Sequence, residues 1–446
     1  MSKLRQRITL HPPPSQCLPE NSFTNADMDP VPFKDRTWAW YDVGGFWISE
    51  GFQIPILQMA GSLIANGLSP GMATGVVVVR NVLVMVPCAL NGYAGAATGV
   101  NFPVISRASW GLHGAKLAVA IRAIVTVFCC VYRMLAAIWP SLARRIPNHL
   151  PAFSNTTSAD ILCFFIFWLL TLPFLAIPSS SSRPSSARMA LAPFSTSPPP
   201  PKSGYSTSFL FFSAITSTIG PQATFALNMG DFCWYSKNPR YTLYAQAVMM
   251  PLCLTLTAFL GVDPLALVGH FSSRAAQFFV ALLFAFATLC TNIAGNSFLC
   301  AILGVAVTPW NILHSAMNLL NFLNGYALRL GQLYQPRGAY WFARGWNLRV
   351  VGSFFLALVP NLPGLAKLVT PGIKGLPRGF KNVYTMSWVV GLVVAGVLYL
   401  GFSHVFPVSE VSEGEEIDLA REWLYSSAEG MDEERIQAKS EDAEYI

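Results

Sequence analysis

FQIPILQMAG, residues 52–61, sets Gln53, Pro55 and Gln58 in the middle of an apolar run. A membrane-crossing helix keeps its backbone hydrogen bonds internal, because hydrocarbon offers no other partner. Pro55 has no N–H, so it frees a carbonyl near residue 51 or 52. Freed carbonyls at membrane depth are tolerated where they line a cavity or hold a cation. STIGPQATFALNMGDF, residues 217–232, repeats the theme with Gly220, Pro221 and Gln222. Two helices broken at corresponding places in two halves point to a transporter whose site lies at the breaks. A plain proline kink accounts for either stretch without a site.

Composition agrees with membrane burial. Of the 446 residues 53% are hydrophobic and 11% charged, against roughly 25% charged in a soluble domain. Mean hydropathy is +0.45. A soluble globule of this make-up would expose far too much apolar surface. Composition thus excludes a soluble enzyme and a disordered scaffold and predicts an all-α polytopic membrane protein. Of the 22 Asp and Glu, 13 follow Ser403, in an acidic tail; Glu50, Asp160, Asp231 and Asp263 fall within the apolar body. The nine Cys are scattered without metal spacing and read as small packing residues.

Along the chain, residues 1–40 read as a cytosolic tail with no cleavable signal peptide. Apolar spans follow near 44–68, 72–97, 117–139 and 161–177, a first bundle over 41–178. Residues 179–204 are Ser and Pro at 15 of 26 positions and form a linker where a helix is expected. Further spans near 205–229, 243–262, 275–294, 298–330, 350–369 and 384–403 make a second bundle over 205–404, followed by the tail 405–446. The total is ten or eleven spans. The basic loops SKNPRY, 236–241, and 331–349 should both be cytoplasmic. Five spans separate the N-terminal tail from SKNPRY, yet charge places both in the cytoplasm, which requires an even number.

Polar residues inside the spans are the candidates for chemistry. ATLCTNIAGNSF, 287–298, puts Asn292 and Asn296 four apart on one helix face. These amides either bond a neighbouring helix or bind a polar heterocycle through its N–H and C=O edges. Glu50 and Asp231 sit near span ends, placed either to couple a proton or cation or to pair with Arg or backbone. Arg80, in VVVVRNVLV, has no functional account from sequence. Walker A, HEXXH, GxSxG and paired CxxC motifs are absent, so neither ATP drive nor hydrolytic or redox chemistry is indicated. The basic body offers no soluble face for nucleic acid.

NADMDPVPFKDRTWAWYDVGGFWISEGF, 25–52, GVNFPVISRASWGLHGA, 99–115, NMGDFCWYSKNPR, 228–240, TNIAGNS, 291–297, and TPWNIL, 308–313, in that order, resemble the nucleobase–cation symporter-1 family. The match is to its fungal branch of uracil, uridine and allantoin permeases, and covers about 25–178 and 205–404. The resemblance implies the LeuT-like fold, two inverted five-helix repeats with two extra helices, in an incomplete form here. It implies no cofactor, coupling to H+ or Na+, and import across the plasma membrane. By resemblance Gln53 and Asn296 bond substrate, and Pro221 and Gln222 stand at the sixth-helix break, where the family often carries a stacking aromatic. The backbone of Ser49 and Phe52, with Ala287, Cys290 and Thr291, matches a sodium site. The third-helix segment that supplies a stacking Trp and a Gln is missing from AIVTVFCCVYRML, 123–135, so uptake is expected to be weak or absent. The alternatives are a non-transporting paralogue, sensor or mis-spliced product, and an amino-acid permease of similar fold, which the TNIAGN amides disfavour. Lys439 in the acidic tail is a candidate ubiquitin acceptor.

Overall fold

The computed structural model describes residues 21–120, 206–259, 330–369 and 377–406 and a few isolated positions. Among these residues the chain is helical, with no strand. Among the described residues four helical stretches are long and apolar enough to cross a membrane, namely Pro70–Thr98, Pro239–Phe259, Leu348–Lys367, which a 3-10 turn interrupts, and Ser387–Val405.

The first span is built in pieces. Helix α1, Trp40–Gly51, opens where Asp42 Oδ2 accepts the Ala39 N–H at 2.9 Å, an acid well placed at a helix N-terminus. It stops at Phe52, whose φ/ψ of −80/14° is no longer helical. Two short segments follow, α2, Ile54–Leu57, and α3, Met59–Ala65. Pro55 falls in the first turn of α2, where a missing N–H costs nothing. The expected interruption is present, set by Pro55 and by the lack of a partner for the backbone just before it.

Helix α4, Pro70–Thr98, begins at the Ser69 cap with Pro at its first position and ends at Gly99, φ +67°. Helix α5, Phe102–Trp110, is capped by Asn101. Helices α6, Thr207–Cys233, and α7, Pro239–Phe259, complete a packed group with α1 and α4. Contacts fix their directions. Arg80 meets Thr218, and Asn91 Nδ2 donates to the Ala226 carbonyl at 2.6 Å, so α4 and α6 run parallel. Trp47 Nε1 donates to Gln246 Oε1 at 2.9 Å and Gly51 abuts Thr257, so α1 and α7 run parallel. Asn81 meets Thr255 while Gly92 meets Gln246, so α4 and α7 are antiparallel. The pair α1/α4 therefore has the opposite polarity to the pair α6/α7, the relation an inverted repeat requires.

The α4–α6 crossing is very close. A Cβ added to Gly95 would lie 2.5 Å from Gly230 Cα and 2.6 Å from its carbonyl oxygen. Small residues permit such approach where the hydrophobic effect does not drive helices together. Further along, α8, Leu348–Leu358, and α9, Leu362–Val369, are separated by a 3-10 turn at Val359–Asn361. Pro360 makes that break in the expected 350–369 span. Helices α10, Arg378–Thr385, and α11, Ser387–Val405, follow.

Residues 21–38 are more than a polar tail. They form a strap across one end of the bundle. Val31 donates to the Gly99 carbonyl at 2.8 Å, and Arg36 Nη1 to Ala96 at 2.5 Å. Arg107 Nη1 donates to the carbonyls of Phe23 and Leu333, at 3.0 and 3.1 Å, and Tyr334 Oη donates to Met28 at 2.6 Å. Burial pushes the Arg107 pKa down, and neighbouring Tyr334 acts against that drop. Trp38 N–H donates to the Tyr235 carbonyl and Lys237 N–H to that of Trp38, both at 2.9 Å. The tail, the 236–241 loop and the 331–349 loop thus share one face, as their charge predicted. The parity question turns on residues 121–205, almost all outside the described residues.

Candidate functional site

The α1 break lies level with a set of buried polar side chains. At the strap end Trp38 pairs with Ser236. Higher up, the Phe46 and Trp47 rings meet Phe225, centroids 6.2 and 6.4 Å apart. One further helical turn on each antiparallel element brings Glu50 to the level of Gln222. Asn81 Nδ2 donates to Thr255 Oγ1 at 2.9 Å, and Gly51 abuts Thr257, so α4 and α7 contribute at the same depth. The layer holds Glu50, Gln53, Arg80, Asn81, Gln222 and Thr255 in a bundle whose interior is otherwise largely apolar.

Glu50 is 1% exposed. Its Oε2 accepts a hydrogen bond from Gln53 Nε2, and its Oε1 has no hydrogen-bond partner among the described residues. A buried carboxylate oxygen without a donor is costly unless it takes up a proton or cation. Around it the backbone is open. The Gln53 and Ile56 N–H groups turn back to Glu50 and Gln53, and none of the hydrogen bonds of the described residues ends on the carbonyl of Ser49 or Phe52. The break therefore offers carbonyl oxygens beside an incompletely satisfied carboxylate, the chemistry of a hard cation or a proton.

Arg80, fully buried, is tied across the interface to α6. Its Nη1 donates to the Thr218 carbonyl at 2.7 Å and to Gln222 Oε1 at 2.6 Å. Nε and Nη2 have no hydrogen-bond partner among the described residues. An Arg at mid-membrane costs about 2.5–3.5 kcal/mol even on the mildest scale, so two short charge-assisted bonds are its minimum support.

The sequence-predicted residues divide into three groups. Gln53, part-buried, and Gln222, buried, lie in the layer; Phe52, part-buried, and Ser49, exposed, lie at the α1 break. Asn292, Asn296, Ala287, Cys290 and Thr291 lie outside the described residues. The expected break at Pro221 is corrected. Helix α6 continues through Gly220 and Pro221, and its non-helical residue is Asn228, φ/ψ −103/16°. Pro221 removes the one N–H that would reach the Ser217 carbonyl, yet the chain stays helical through it. Beside it, the Arg80 guanidinium ties the Thr218 carbonyl to α4. Asp231 also has a structural role: its Oδ1 accepts the Phe102 N–H at 2.5 Å, capping α5. The sequence reading missed Asn81 and Gln246, whose only signal was an amide within an apolar run.

A family model described as permease for cytosine/purines, uracil, thiamine and allantoin matches residues 30–323, well over half of the chain. The chain belongs to this family. It is therefore a permease, an integral multi-pass membrane protein. An uncharacterized permease of Schizosaccharomyces pombe is 27% identical over 95% of this chain and 90% of its own. The allantoin permease of Saccharomyces cerevisiae is 24% identical over 88% of this chain and 77% of its own. The uracil permease of the same yeast is 24% identical over 86% and 76%. Among solved structures, inward-facing Mhp1 superposes with a TM-score of 0.56 at 15% identity, covering 91% of this chain and 99% of Mhp1. Closed Mhp1 with bound bromovinylhydantoin, titled a nucleobase-cation-symport-1 family transporter, gives 0.53 at 13% identity, over 95% and 100%. The inverted-repeat transporter fold expected from sequence is the fold observed.

Proposed function

We propose that this permease imports a nucleobase, nucleoside or ureide, such as uracil, uridine or allantoin, across the plasma membrane by cation-coupled alternating access. The observation that carries the reading is the interrupted α1, with Glu50 and Gln53 at the break and open carbonyls at Ser49 and Phe52. Relatives named uracil and allantoin permeases support the substrate class. Amides suit such ligands because each offers one donor and one acceptor edge. Gln53, Gln222, Asn292 and Asn296, beside Pro221, form the proposed substrate set. Ser49 and Phe52, with Ala287, Cys290 and Thr291, form the proposed cation set. Glu50 makes H+ the favoured coupling ion, since a buried carboxylate with one oxygen unpaired among the described residues changes charge by binding a proton.

Residues 123–135 lack the family's stacking Trp, and stacking contributes substantially to ring affinity, so the apparent KM is expected to be high. The test is uptake of radiolabelled uracil and allantoin, up to millimolar concentration, in yeast without its own permeases, with and without a protonophore. Saturable uptake that collapses with the proton gradient supports the reading. A chain that reaches the plasma membrane and takes up neither compound overturns it and leaves a non-transporting paralogue or sensor.

A further inference from the structure

We propose that Arg80 is a positioning residue that sets which edge of the Gln222 amide faces the substrate, and so makes the site select a carbonyl over an amino group. The proposal rests on the importer reading above. Arg80 is buried in the middle of α4 and reaches α6 with Nη1, 2.6 Å from Gln222 Oε1. A guanidinium has donors only and stays charged. An amide that meets it must turn its oxygen inward, because the reversed amide would set N–H against N–H. The second bond from the same Nη1, 2.7 Å to the Thr218 carbonyl, anchors the guanidinium to the backbone of the helix that carries Gln222. The amide is thereby locked, with Oε1 consumed and the two N–H groups of Nε2 directed elsewhere. Among the hydrogen bonds of the described residues none uses Gln222 Nε2.

Gln53, at the α1 break, is held in the opposite sense. Its Nε2 turns to Glu50, leaving its oxygen on the other edge. The layer thus presents a donor from α6 and an acceptor from the α1 break. That combination complements a heterocycle with both a C=O and an N–H, and it rejects one that offers an amino group toward Gln222. A free glutamine would accept either by turning over. The charge of Arg80 removes that freedom, which explains why an Arg is kept where it is otherwise expensive.

The experiment uses the full chain, tagged, purified in detergent, with ligand-induced thermal stabilisation by uracil and by cytosine, which replaces one carbonyl with an amino group. The wild type should bind uracil at least about ten-fold better, since unpaired buried donors penalise the wrong ligand strongly. Gln222→Glu is the decisive variant. Its carboxylate still pairs with Arg80, so the fold is kept, but it only accepts, and the uracil-to-cytosine ratio should fall by about ten-fold or more. Arg80→Met frees the amide to turn and should bring the ratio to within about three-fold of unity, while Arg80→Lys should restore part of it. If Gln222→Glu weakens both ligands equally, or leaves the ratio unchanged, Arg80 and Gln222 are only structural and the proposal is overturned. Should Arg80→Met fail to accumulate, Gln222→Glu decides alone. A wild type stabilised by neither compound contradicts the importer reading itself, a result distinct from an unchanged ratio.

Discussion

Replacing Gly95 by Ala should destabilise the bundle although alanine is the better helix former. The added Cβ would sit 2.5 Å from Gly230 Cα and 2.6 Å from the Gly230 carbonyl oxygen. Carbon atoms in ordinary contact lie about 3.5–4.0 Å apart, so α4 and α6 must separate by about 1 Å at this point. Neither obstacle is a side chain that can change rotamer. Both are helix backbone. Four residues along α4, Asn91 Nδ2 reaches the Ala226 carbonyl at 2.6 Å. A separation of about 1 Å would take that bond beyond useful length. Overpacking costs about 1–3 kcal/mol and a weakened buried hydrogen bond about 1 kcal/mol. Helix propensity returns up to about 1 kcal/mol. The net destabilisation is about 2 kcal/mol, or roughly 2 °C in apparent melting temperature for a chain of this length. The assay is heating of fluorescent-protein fusions in detergent, followed by size-exclusion chromatography. Gly396→Ala is the control, because nothing lies within 4 Å of a Cβ there, and it should melt with the wild type or slightly above. If Gly95→Ala also melts at or above the wild-type temperature, the close crossing does not govern the packing of α4 on α6.

Two other substitutions test separate parts of the structure. Glu50→Gln keeps the shape of the α1 break but cannot ionise; it should abolish concentrative uptake driven by a pH gradient while counterflow exchange persists, and accumulation at the wild-type level would remove Glu50 from the coupling. Arg107→Ala deletes the donors to the Phe23 and Leu333 carbonyls, each worth about 1.5–3 kcal/mol for a charged donor. The strap should then open, and tryptic cleavage after Lys34 or Arg36 should accelerate at least about ten-fold; an unchanged cleavage rate would show that the strap is held without Arg107.

Much of the architecture was legible in the sequence because hydrocarbon allows so few solutions. Hydropathy located the helices that line the bundle, and the positive-inside rule put three basic segments on one face, where the strap and both loops are found. Pro55 announced the α1 break, since a proline at mid-span leaves a backbone group unsatisfied wherever the chain then goes. The same logic failed at Pro221, where the helix runs on and its non-helical residue lies further along, at Asn228. A proline says that a hydrogen bond is missing; it does not say that the helix opens there. Arg80 was visible as an oddity, but its role was not, because its partners Thr218 and Gln222 are more than a hundred residues away.

What the sequence determined by itself is therefore the class of solution: a polytopic all-α permease with a broken first helix and polar residues at its break. Periodicity, hydropathy and charge act locally, and each can be read within a single helix. The tertiary structure alone decided which polar groups meet. The closeness of Gly95 to Gly230, the antiparallel level of Glu50 and Gln222, and the lock of Arg80 on the Gln222 amide all follow from how four helices cross. Those crossings are set by shape and by the pairing of buried donors with acceptors across helices, which no one segment encodes.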